Sequence, residues 1–354
     1  MSEPTLLLDG VPVAVRAGDT LLQVARRAGV DVPTLCHDDR VDPAGACRMC
    51  LVEVEGQRRL LPSCATPAVA GQVVRTQSER VQRHRRTLLG MYLADHPVSA
   101  DGALPSRGTG GRLAQLVAAH GAVALPSLPP TRPGRVDANP YIDYDPAACI
   151  TCGLCTRYCD EVEVASAITL AGRGRHTHVA TADQRQLLDS TCELCGGCVA
   201  VCPTGAMTEK AALQTVAADE RQVRTTCTFC GVGCQLDLHV HDGRVVRVSS
   251  PPPGTTLNDG NLCVKGRFSY EFIHHPERLT TPLLRGDDGE LHPATWEQAL
   301  DRVATGLLSL RARYGPDSVG FISSSRCTGE ENYLVQKLAR GAFGTNNCHQ
   351  CAAT

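Results

Sequence analysis

The apolar positions near the start of the chain follow first the period of a strand and then the period of a helix. Residues 4–8 and 11–15 alternate on either side of an Asp-Gly turn, which predicts a β-hairpin. Residues 20–28 carry apolar side chains at helical spacing, with Gly29 as the stop, which predicts a helix. Residues 71–75 close what we interpret as a small hairpin-helix-hairpin domain.

After residue 78 the pattern of apolar and polar residues changes, which indicates a helix, a linker and an α/β segment beyond the first domain. Residues 79–95 predict a basic amphipathic helix, and residues 97–140 are rich in Gly, Pro, Ala and Ser, the composition of a linker. Within this linker we expect one short helix between 110 and 120. The end of the chain has an ordinary α/β pattern, which predicts a helix over 296–314, a buried strand over 318–323 and a helix over 330–343.

Composition narrows the classes of function. The chain has 354 residues and a formal net charge of -2, which favours two or three domains and gives no basic footprint for nucleic acid. Its first residues have no leader pattern, and no window approaches the roughly 18 apolar residues that span a bilayer. We therefore expect a soluble, cytoplasmic protein without a membrane span. Its 19 Cys, reduced in that compartment, are expected to bind metal rather than to form disulfides.

An internal repeat of the spacing C-x2-C-x2-C-x3-C carries the strongest signal. Its copies are Cys149, Cys152, Cys155 and Cys159, and Cys192, Cys195, Cys198 and Cys202. In two-cluster ferredoxins the fourth Cys of such a run ligates the other cluster. The predicted [4Fe-4S] ligand sets are therefore Cys149, Cys152, Cys155 and Cys202, and Cys192, Cys195, Cys198 and Cys159. A pair of zinc sites is the alternative.

The N-terminal cysteines form a second kind of group. Cys36, Cys47, Cys50 and Cys64 keep the close central pair of a plant-type [2Fe-2S] site but have a longer first gap. This group resembles the ferredoxin-like head of the large iron-sulfur subunit of respiratory complex I, of [FeFe] hydrogenases and of NAD-linked formate dehydrogenases. The resemblance implies one [2Fe-2S] cluster, and structural zinc is the alternative.

One cluster of those families is predicted to be missing. The resemblance implies a His-Pro pair followed by Cys ligands, and His96 is present, but Ala100 and Ala103 occupy the next two ligand positions. No Cys occurs between Cys64 and Cys149, and a single imidazole does not hold a cluster. We interpret His96 as a relic or an ordinary surface residue. The loss puts in doubt a short electron path from the first cluster to the others.

The fourth group lies in the stretches CTFCGVGC and NLCVKGRF and consists of Cys227, Cys230, Cys234 and Cys263. It resembles the N-terminal [4Fe-4S] module of molybdenum or tungsten enzymes with a bis(molybdopterin guanine dinucleotide) cofactor, above all formate dehydrogenase alpha subunits. The resemblance implies a third [4Fe-4S] cluster. It also matches Lys265 to the family's electron-relay lysine between cluster and pterin. A solvated lysine is the alternative.

The last residues continue this resemblance. In formate dehydrogenases an asparagine pair leads to a metal-ligating selenocysteine or cysteine, and aligning residues 351–354 to that stretch places the ligand immediately after Thr354. We therefore expect no catalytic residue within the chain. Our hypothesis is a UGA codon for selenocysteine after Thr354, with a truncation or an engineered fragment as the alternative. Cys327 and Cys348 are interpreted as buried or incidental thiols.

These observations predict a modular α+β iron-sulfur protein. The predicted domains are a β-grasp [2Fe-2S] ferredoxin head over 1–78, a degenerate His-Cys cluster region and linker over 79–140, a double [4Fe-4S] ferredoxin domain over 141–212, a [4Fe-4S] module over 220–276 and the start of an α/β molybdenum- or tungsten-bis-pterin oxidoreductase domain over 277–354. Because large apolar residues are few, we expect metal to supply much of the stability of 141–276.

The resemblance implies a formate dehydrogenase alpha subunit that oxidises formate to CO2 and passes electrons to a flavin-bearing, NAD-reducing or ferredoxin-type partner. This chain by itself is expected to transfer electrons without oxidising formate. Two rivals fit the front of the chain: a relative of the complex I large subunit and a free-standing multi-cluster electron carrier. An [FeFe] hydrogenase is a third, but the spacing around Cys227 and the CVKG stretch contradict it.

Overall fold

A computed structural model describes residues 3–96, 111–126, 132, 137–211 and 219–351 of the protein. The chain divides into two compact units, residues 1–218 and 219–354. The first unit contains the head, the two helices that follow it and the first two [4Fe-4S] cysteine runs. The second unit contains the fourth cysteine group and the α/β segment.

A five-stranded mixed sheet with one helix on its face forms the head of the first unit. The elements are β1 (Thr5–Leu8), β2 (Val11–Ala14), α1 (Leu21–Arg27), β3 (Leu51–Val54), β4 (Leu61–Pro62) and β5 (Val73–Arg75). The strand order is β2-β1-β5-β3-β4, with β1 antiparallel to β2 and parallel to β5. Leu6, Leu22, Val24 and Val74 are at most 1% exposed and form the core between helix and sheet. This is a β-grasp fold, and the predicted hairpin and helix are confirmed.

Local side-chain chemistry explains where α1 begins and ends. Thr20 is the N-cap: its hydroxyl accepts from the Gln23 backbone N–H at 3.3 Å, and the Gln23 side chain accepts from the Thr20 N–H at 2.8 Å. Arg26 and Arg27 lie in the last turn, where the helix dipole favours cations. The helix ends at Arg27, and the loop that follows it carries Cys36.

Two further helices continue from the head, α2 (Glu79–Asp95) and α3 (Gly111–His120). Both lie where the sequence predicts helices. Leu89 of α2 and Leu113 of α3 are buried in one apolar cluster with Leu35 and Met49 of the head. Much of the predicted linker around α3 lies outside the described residues.

The rest of the first unit consists of short elements arranged as a repeat. They are β6 (Ile142–Tyr144), α4 (Leu154–Arg157) with a π-helical turn (Tyr158–Val162), β7 (Thr169–Ala171), β8 (His178–Ala180), α5 (Gly197–Val201) and β9 (Met207–Glu209). β6 pairs antiparallel with β9, and β7 with β8. Gly153, with φ 68°, precedes α4, and Gly196, with φ 70°, precedes α5. Each glycine follows the second Cys of its run, so both runs turn into their helices in the same way.

The second unit begins with a three-stranded antiparallel meander. Its elements are β10 (Arg221–Thr226), β11 (Gln235–His241), β12 (Arg244–Ser249), α6 (Val264–Phe268), β13 (Leu283–Arg285), β14 (Leu291–Pro293), α7 (Trp296–Tyr314), β15 (Phe321–Ser324), α8 (Gly329–Lys337) and β16 (Cys348–Cys351). β15 and β16 are parallel neighbours, as at the start of an α/β domain. Among the described residues no helix has the length and apolar character to cross a lipid bilayer.

The α/β segment follows the predicted order with one difference. α7 has the predicted bounds, and α8 with the π-helical turn after it, Leu338–Phe343, covers the last predicted helix. The strand β15 starts at Phe321, later than predicted, and it is not buried, since Ile322 is 76% exposed. The prediction of burial was wrong because no described element covers the face of the sheet on which the Ile322 side chain lies.

Candidate functional site

The four head cysteines meet beside the sheet. Cys36, Cys47, Cys50 and Cys64 are each at most 2% exposed. The Cys50 and Cys64 Sγ atoms are 3.3 Å apart, and the Cys47 backbone N–H donates to the Cys36 Sγ at 3.3 Å. β3 begins directly after Cys50, and β4 ends two residues before Cys64, so the sheet positions this pair. The structure therefore brings the predicted [2Fe-2S] quartet together.

Close contact between these thiols favours the thiolate form, which binds iron, in one thiol of each pair. Hydrogen bonding to Cys47 lowers the pKa of Cys36 to about 6, and hydrogen bonding to Cys64 lowers the pKa of Cys50 to about 6. The pKa of the second thiol of each pair is raised by the same hydrogen bond and by burial. Metal binding replaces those remaining protons. Four buried sulfur atoms in paired contact therefore fit an iron-sulfur group.

The first ferredoxin site shows the crossed ligand set side by side. Cys149, Cys152, Cys155 and Cys202 line one cavity. The backbone N–H of Thr151 donates to the Cys149 Sγ at 3.3 Å, and that of Met207 donates to the Cys202 Sγ at 3.5 Å. Burial raises the pKa of Cys152 to about 12 and that of Cys155 well above its usual range, and the neighbouring thiols add to both shifts. Iron would neutralise this mutual repulsion of thiolates.

The second ferredoxin site repeats the arrangement. Cys159, Cys192, Cys195 and Cys198 line its cavity. Backbone N–H groups again point at sulfur: Leu194 donates to Cys192 at 3.4 Å, Gly197 to Cys195 at 3.3 Å and Ala167 to Cys159 at 3.3 Å. Such donors are one of the means by which proteins set the potential of a cluster. Each predicted ligand set thus shares one cavity, while ligation itself stays a prediction.

The thiols line the walls of these cavities and do not meet at a point. Within the described parts of the chain, no group of three or more His, Cys, Asp or Glu side chains converges to hold a single metal ion. The cavities of the first unit are bounded by cysteines on several sides and by apolar residues such as Ile142 and Val179 elsewhere. This donor set suits a sulfur-rich cluster.

A hairpin loop of the second unit carries three of the four remaining predicted ligands. Cys227 follows β10, Cys234 precedes β11, and the Cys227 N–H donates to the Cys234 carbonyl at 2.7 Å, which closes the loop around Cys230. Cys263 is the N-cap of α6, and a methyl group on Gly266 would lie 3.6 Å from the Cys227 Sγ, so α6 packs against the loop. Burial and the other three thiols raise the pKa of Cys234. The structure thus brings this quartet together as well.

Other predicted positions differ in environment. Lys265 lies on α6 and is exposed, and its relay role stays a prediction. His96 is 8% exposed, so its interpretation as an ordinary surface residue was wrong. Burial lowers the pKa of His96 to about 4, which keeps the imidazole neutral near pH 7. Cys327 and Cys348 are half-buried thiols.

The head and the ferredoxin region touch directly at their cysteine loops. Cys36 and Cys47 belong to an apolar cluster against which Ile150 and Cys152 pack. The loop of the first ferredoxin site therefore packs against the apolar cluster that contains two of the head cysteines. The two cysteine loops thus lie side by side, while a short electron path between them stays a prediction.

Arg157, at the end of α4, stabilises this contact. Its Nη2 donates to the Cys36 carbonyl at 2.5 Å, and its Nη1 donates to the Asp42 carbonyl. Glu161, in the following π-helical turn, accepts from the Asp42 backbone N–H at 2.6 Å. Arg157 and Glu161, one helical turn apart in the ferredoxin region, thus hydrogen-bond to both ends of the head loop 36–42.

Replacing Arg157 by Met is expected to loosen the loop 36–42 without touching a cysteine. Hydrogen bonds from a charged group contribute about 1.5–3 kcal/mol each, so amide exchange in this loop should accelerate by at least about tenfold. Hydrogen-deuterium exchange of the reconstituted chain measures this. The control is Arg173→Met, at an exposed position of the same region. Equal exchange in the two variants contradicts the role of Arg157.

Sequence reasoning missed three residues that the structure places at the sites: Arg157, Tyr158 and Arg85. Tyr158 is 1% exposed and lines the cavity of the second ferredoxin site. Arg85 is also 1% exposed and lies on α2 between the buried Val81 and Leu89. The sequence did contain an indication that Arg85 is buried. Arg85 lies four residues after Val81, on the apolar stripe of the predicted helix. For Arg157 the sequence offered no indication of its role, since it is only a basic residue inside a cysteine run.

The head is a β-grasp domain, and it is followed by two cysteine-lined cavities and by a cysteine loop before an α/β segment. This arrangement is that of a modular iron-sulfur protein. Known families match region by region. Residues 3–79 match the 2Fe-2S iron-sulfur cluster binding domain, 139–208 the ferredoxin-like domain of NADH-quinone oxidoreductase subunit 3, 220–275 the molybdopterin oxidoreductase Fe4S4 domain and 278–354 molybdopterin oxidoreductase. Residues 220–275 and 278–354 thus match two successive domains of molybdopterin oxidoreductases.

Individual relatives extend this finding. The NADPH-Fe(3+) oxidoreductase subunit alpha of Geobacter sulfurreducens is 37% identical over 97% of this chain and 40% of that protein. The "Putative formate dehydrogenase" of Staphylococcus haemolyticus is 31% identical over 98% of this chain and 38% of that protein. A crystal structure of an NAD+-reducing [NiFe]-hydrogenase is similar with a TM-score of 0.53 and 35% identity, over 61% of this chain and 91% of that chain. This chain spans about two fifths of the length of these curated relatives.

Proposed function

We propose that this chain forms the iron-sulfur relay of a formate dehydrogenase alpha subunit. In this proposal formate is oxidised to CO2 in a molybdenum- or tungsten-bis-pterin domain that begins with residues 278–354, and two electrons leave singly through the cysteine sites. The observation that carries it is the molybdopterin-type cysteine loop with Lys265. The same chain carries two ferredoxin sites, and the loop of the first packs against the head. The similarity to a protein named as a formate dehydrogenase supports it.

Each quartet has a role in this relay, since clusters bound by thiolates supply one-electron transfer. The head quartet is proposed to hold one [2Fe-2S] cluster, and each of the other three quartets one [4Fe-4S] cluster. Lys265 is proposed to lie on the path between the pterin and the Cys227 site. From the ferredoxin pair, electrons are proposed to reach the head where Ile150 and Cys152 pack against the apolar cluster that contains Cys36, a packing that supports a direct hop.

The proposed electron acceptor is a cytoplasmic partner subunit that binds flavin and reduces NAD(P), with a ferredoxin-type acceptor as the alternative. Two findings support this choice. The chain is similar to a chain of an NAD+-reducing hydrogenase, and residues 139–208 match a domain of NADH-quinone oxidoreductase. Both relatives are named for reactions with the nicotinamide nucleotide.

A second candidate function is a multi-cluster electron carrier related to the complex I large subunit, which takes electrons from NAD(P)H and performs no formate chemistry. The 37% identity to an NADPH-Fe(3+) oxidoreductase subunit and the NADH-quinone oxidoreductase match favour it. In this candidate the electrons enter at the head and leave through the other clusters, opposite to the first proposal.

Sequencing the gene beyond codon 354 is the first test. An in-frame UGA, followed by a His codon and further pterin-domain sequence, would support a selenocysteine ligand after Thr354. A UAA or UAG codon without related sequence downstream would withdraw the formate assignment for this chain and favour the electron carrier.

Formate and NAD(P)H can then be compared as electron sources. The chain extended by any such downstream sequence, loaded with metal and pterin, is mixed anaerobically with formate, and cluster reduction is followed by EPR. We expect formate to reduce the extended protein, whereas this chain alone is reduced by dithionite and not by formate. Reduction by NADPH in the presence of a flavoprotein partner, without any response to formate, contradicts the proposal and supports the second candidate.

A further inference from the structure

Arg85 is a buried cation without an ionic partner among the described residues. It lies on α2 and is 1% exposed, between Val81 and Leu89, which are fully buried. Its Nε and Nη1 atoms have no hydrogen-bond partner in the described part of the chain. Its Nη2 has only a long contact of 3.5 Å, to the carbonyl of Leu51. A guanidinium held in this way is strongly unfavourable unless a negative charge lies near it.

The head site offers that negative charge. Leu51, whose carbonyl Arg85 approaches, directly follows the predicted ligand Cys50. Burial lowers the pKa of Arg85, and the charge of Cys50 opposes this shift more than Asp31 or Asp9 does. A [2Fe-2S] group with four thiolates carries roughly two negative charges when oxidised and about three when reduced. The guanidinium stays protonated in both states, because its pKa lies far above neutrality.

We propose that Arg85 is the counter-ion of the [2Fe-2S] cluster and raises its reduction potential. The inference rests on the proposed cluster assignment of the head quartet. On reduction the cluster gains one electron from a neighbouring cluster or an added reductant, and no proton or covalent bond changes place. The added negative charge is stabilised by the fixed positive charge of Arg85, so the reduced state gains more than the oxidised state. Arg85 is therefore a residue that tunes the potential of the head cluster.

The test is an EPR-monitored redox titration of the reconstituted full chain. Arg85→Met removes the charge and keeps a long apolar side chain, and Arg85→Lys keeps the charge. Arg86→Met, the next residue of α2 and exposed, is the matched control. In Arg85→Met the ratio of reduced to oxidised [2Fe-2S] cluster at a fixed potential should fall at least tenfold, a shift of the midpoint by about 59 mV or more. Arg85→Lys should retain most of the wild-type potential, and Arg86→Met all of it.

If the midpoint potential of the [2Fe-2S] cluster is the same in all variants, the counter-ion proposal is overturned. The proposed iron-sulfur relay is not affected by that result. A wild-type head without a [2Fe-2S] EPR signal instead contradicts the cluster assignment, which separates the two failures. If Arg85→Met takes up no cluster, the thermal unfolding of the iron-free proteins decides. A counter-ion role predicts an iron-free Arg85→Met at least as stable as the iron-free wild type, because an unpaired buried charge has been removed. A less stable iron-free variant assigns Arg85 a structural role and overturns the proposal.

Discussion

Chelation of iron is expected to unfold residues 141–276 while the head sheet stays folded. The helices of the ferredoxin region have four and five residues and its strands three, too short to be stable without packing. The cysteine cavities lie at the centre of that packing, so removal of their contents leaves little apolar interior. The head, by contrast, has its own core around Leu22 and Val24. Structural metal commonly supplies the folding free energy of such regions, about 10 kcal/mol or more for zinc peptides.

Hydrogen-deuterium exchange of reconstituted and chelated protein measures this region by region. We expect backbone amides over 141–209 and 220–276 to lose protection, and those of β1 and β3 to keep it. Adding iron and sulfide should restore protection. Restoration by zinc alone would instead support the zinc alternative for these cysteines. Protection retained over 141–276 after complete loss of iron contradicts the expectation.

Gly197→Ala is expected to eliminate both [4Fe-4S] clusters of the ferredoxin region. A methyl group at Gly197 would lie 2.6 Å from Cδ1 and 2.8 Å from Cζ of the Tyr158 ring. Tyr158 is 1% exposed and cannot turn into solvent without losing its packing, so we expect α5 to shift. Overpacking of this kind costs about 1–3 kcal/mol or more. Because α5 contains Cys198 and has Cys202 as its C-cap, and these two cysteines are assigned to different clusters, the shift disturbs both. The iron content should fall by about eight atoms per chain.

Iron analysis and absorbance of the reconstituted protein read out this effect. Gly111→Ala is the control, because a methyl group there meets only the Gln115 side chain at 3.7 Å, an ordinary contact. Combining Gly197→Ala with Tyr158→Leu removes the obstructing ring and should restore part of the iron. A Gly197→Ala protein with full iron content would show that the Tyr158 ring yields, and that α5 is not held where the structure places it.

Features that depend on near neighbours in the chain were determined by the sequence alone. The bounds of α2 and α7 follow from apolar spacing and from caps such as Thr295, whose capping box with Gln298 involves residues three apart. The hairpin of β1 and β2 follows from its Asp-Gly turn. Cysteine spacing predicted which thiols share a site, because a repeated run allows few ways to bind two clusters.

Only the tertiary structure decided the features that join distant segments. β5 lies between β1 and β3 rather than in a hairpin of its own, a pairing across more than sixty residues that no local pattern encodes. The burial of His96 and the exposure of Ile322 depend on which elements cover them, not on their own neighbours. The same holds for Arg157 on the head loop and for Arg85 behind Cys50. The role of a charged side chain can be assigned only when the structure shows its surroundings. The free energy of a charge depends on how deeply it is buried and on which partners it has.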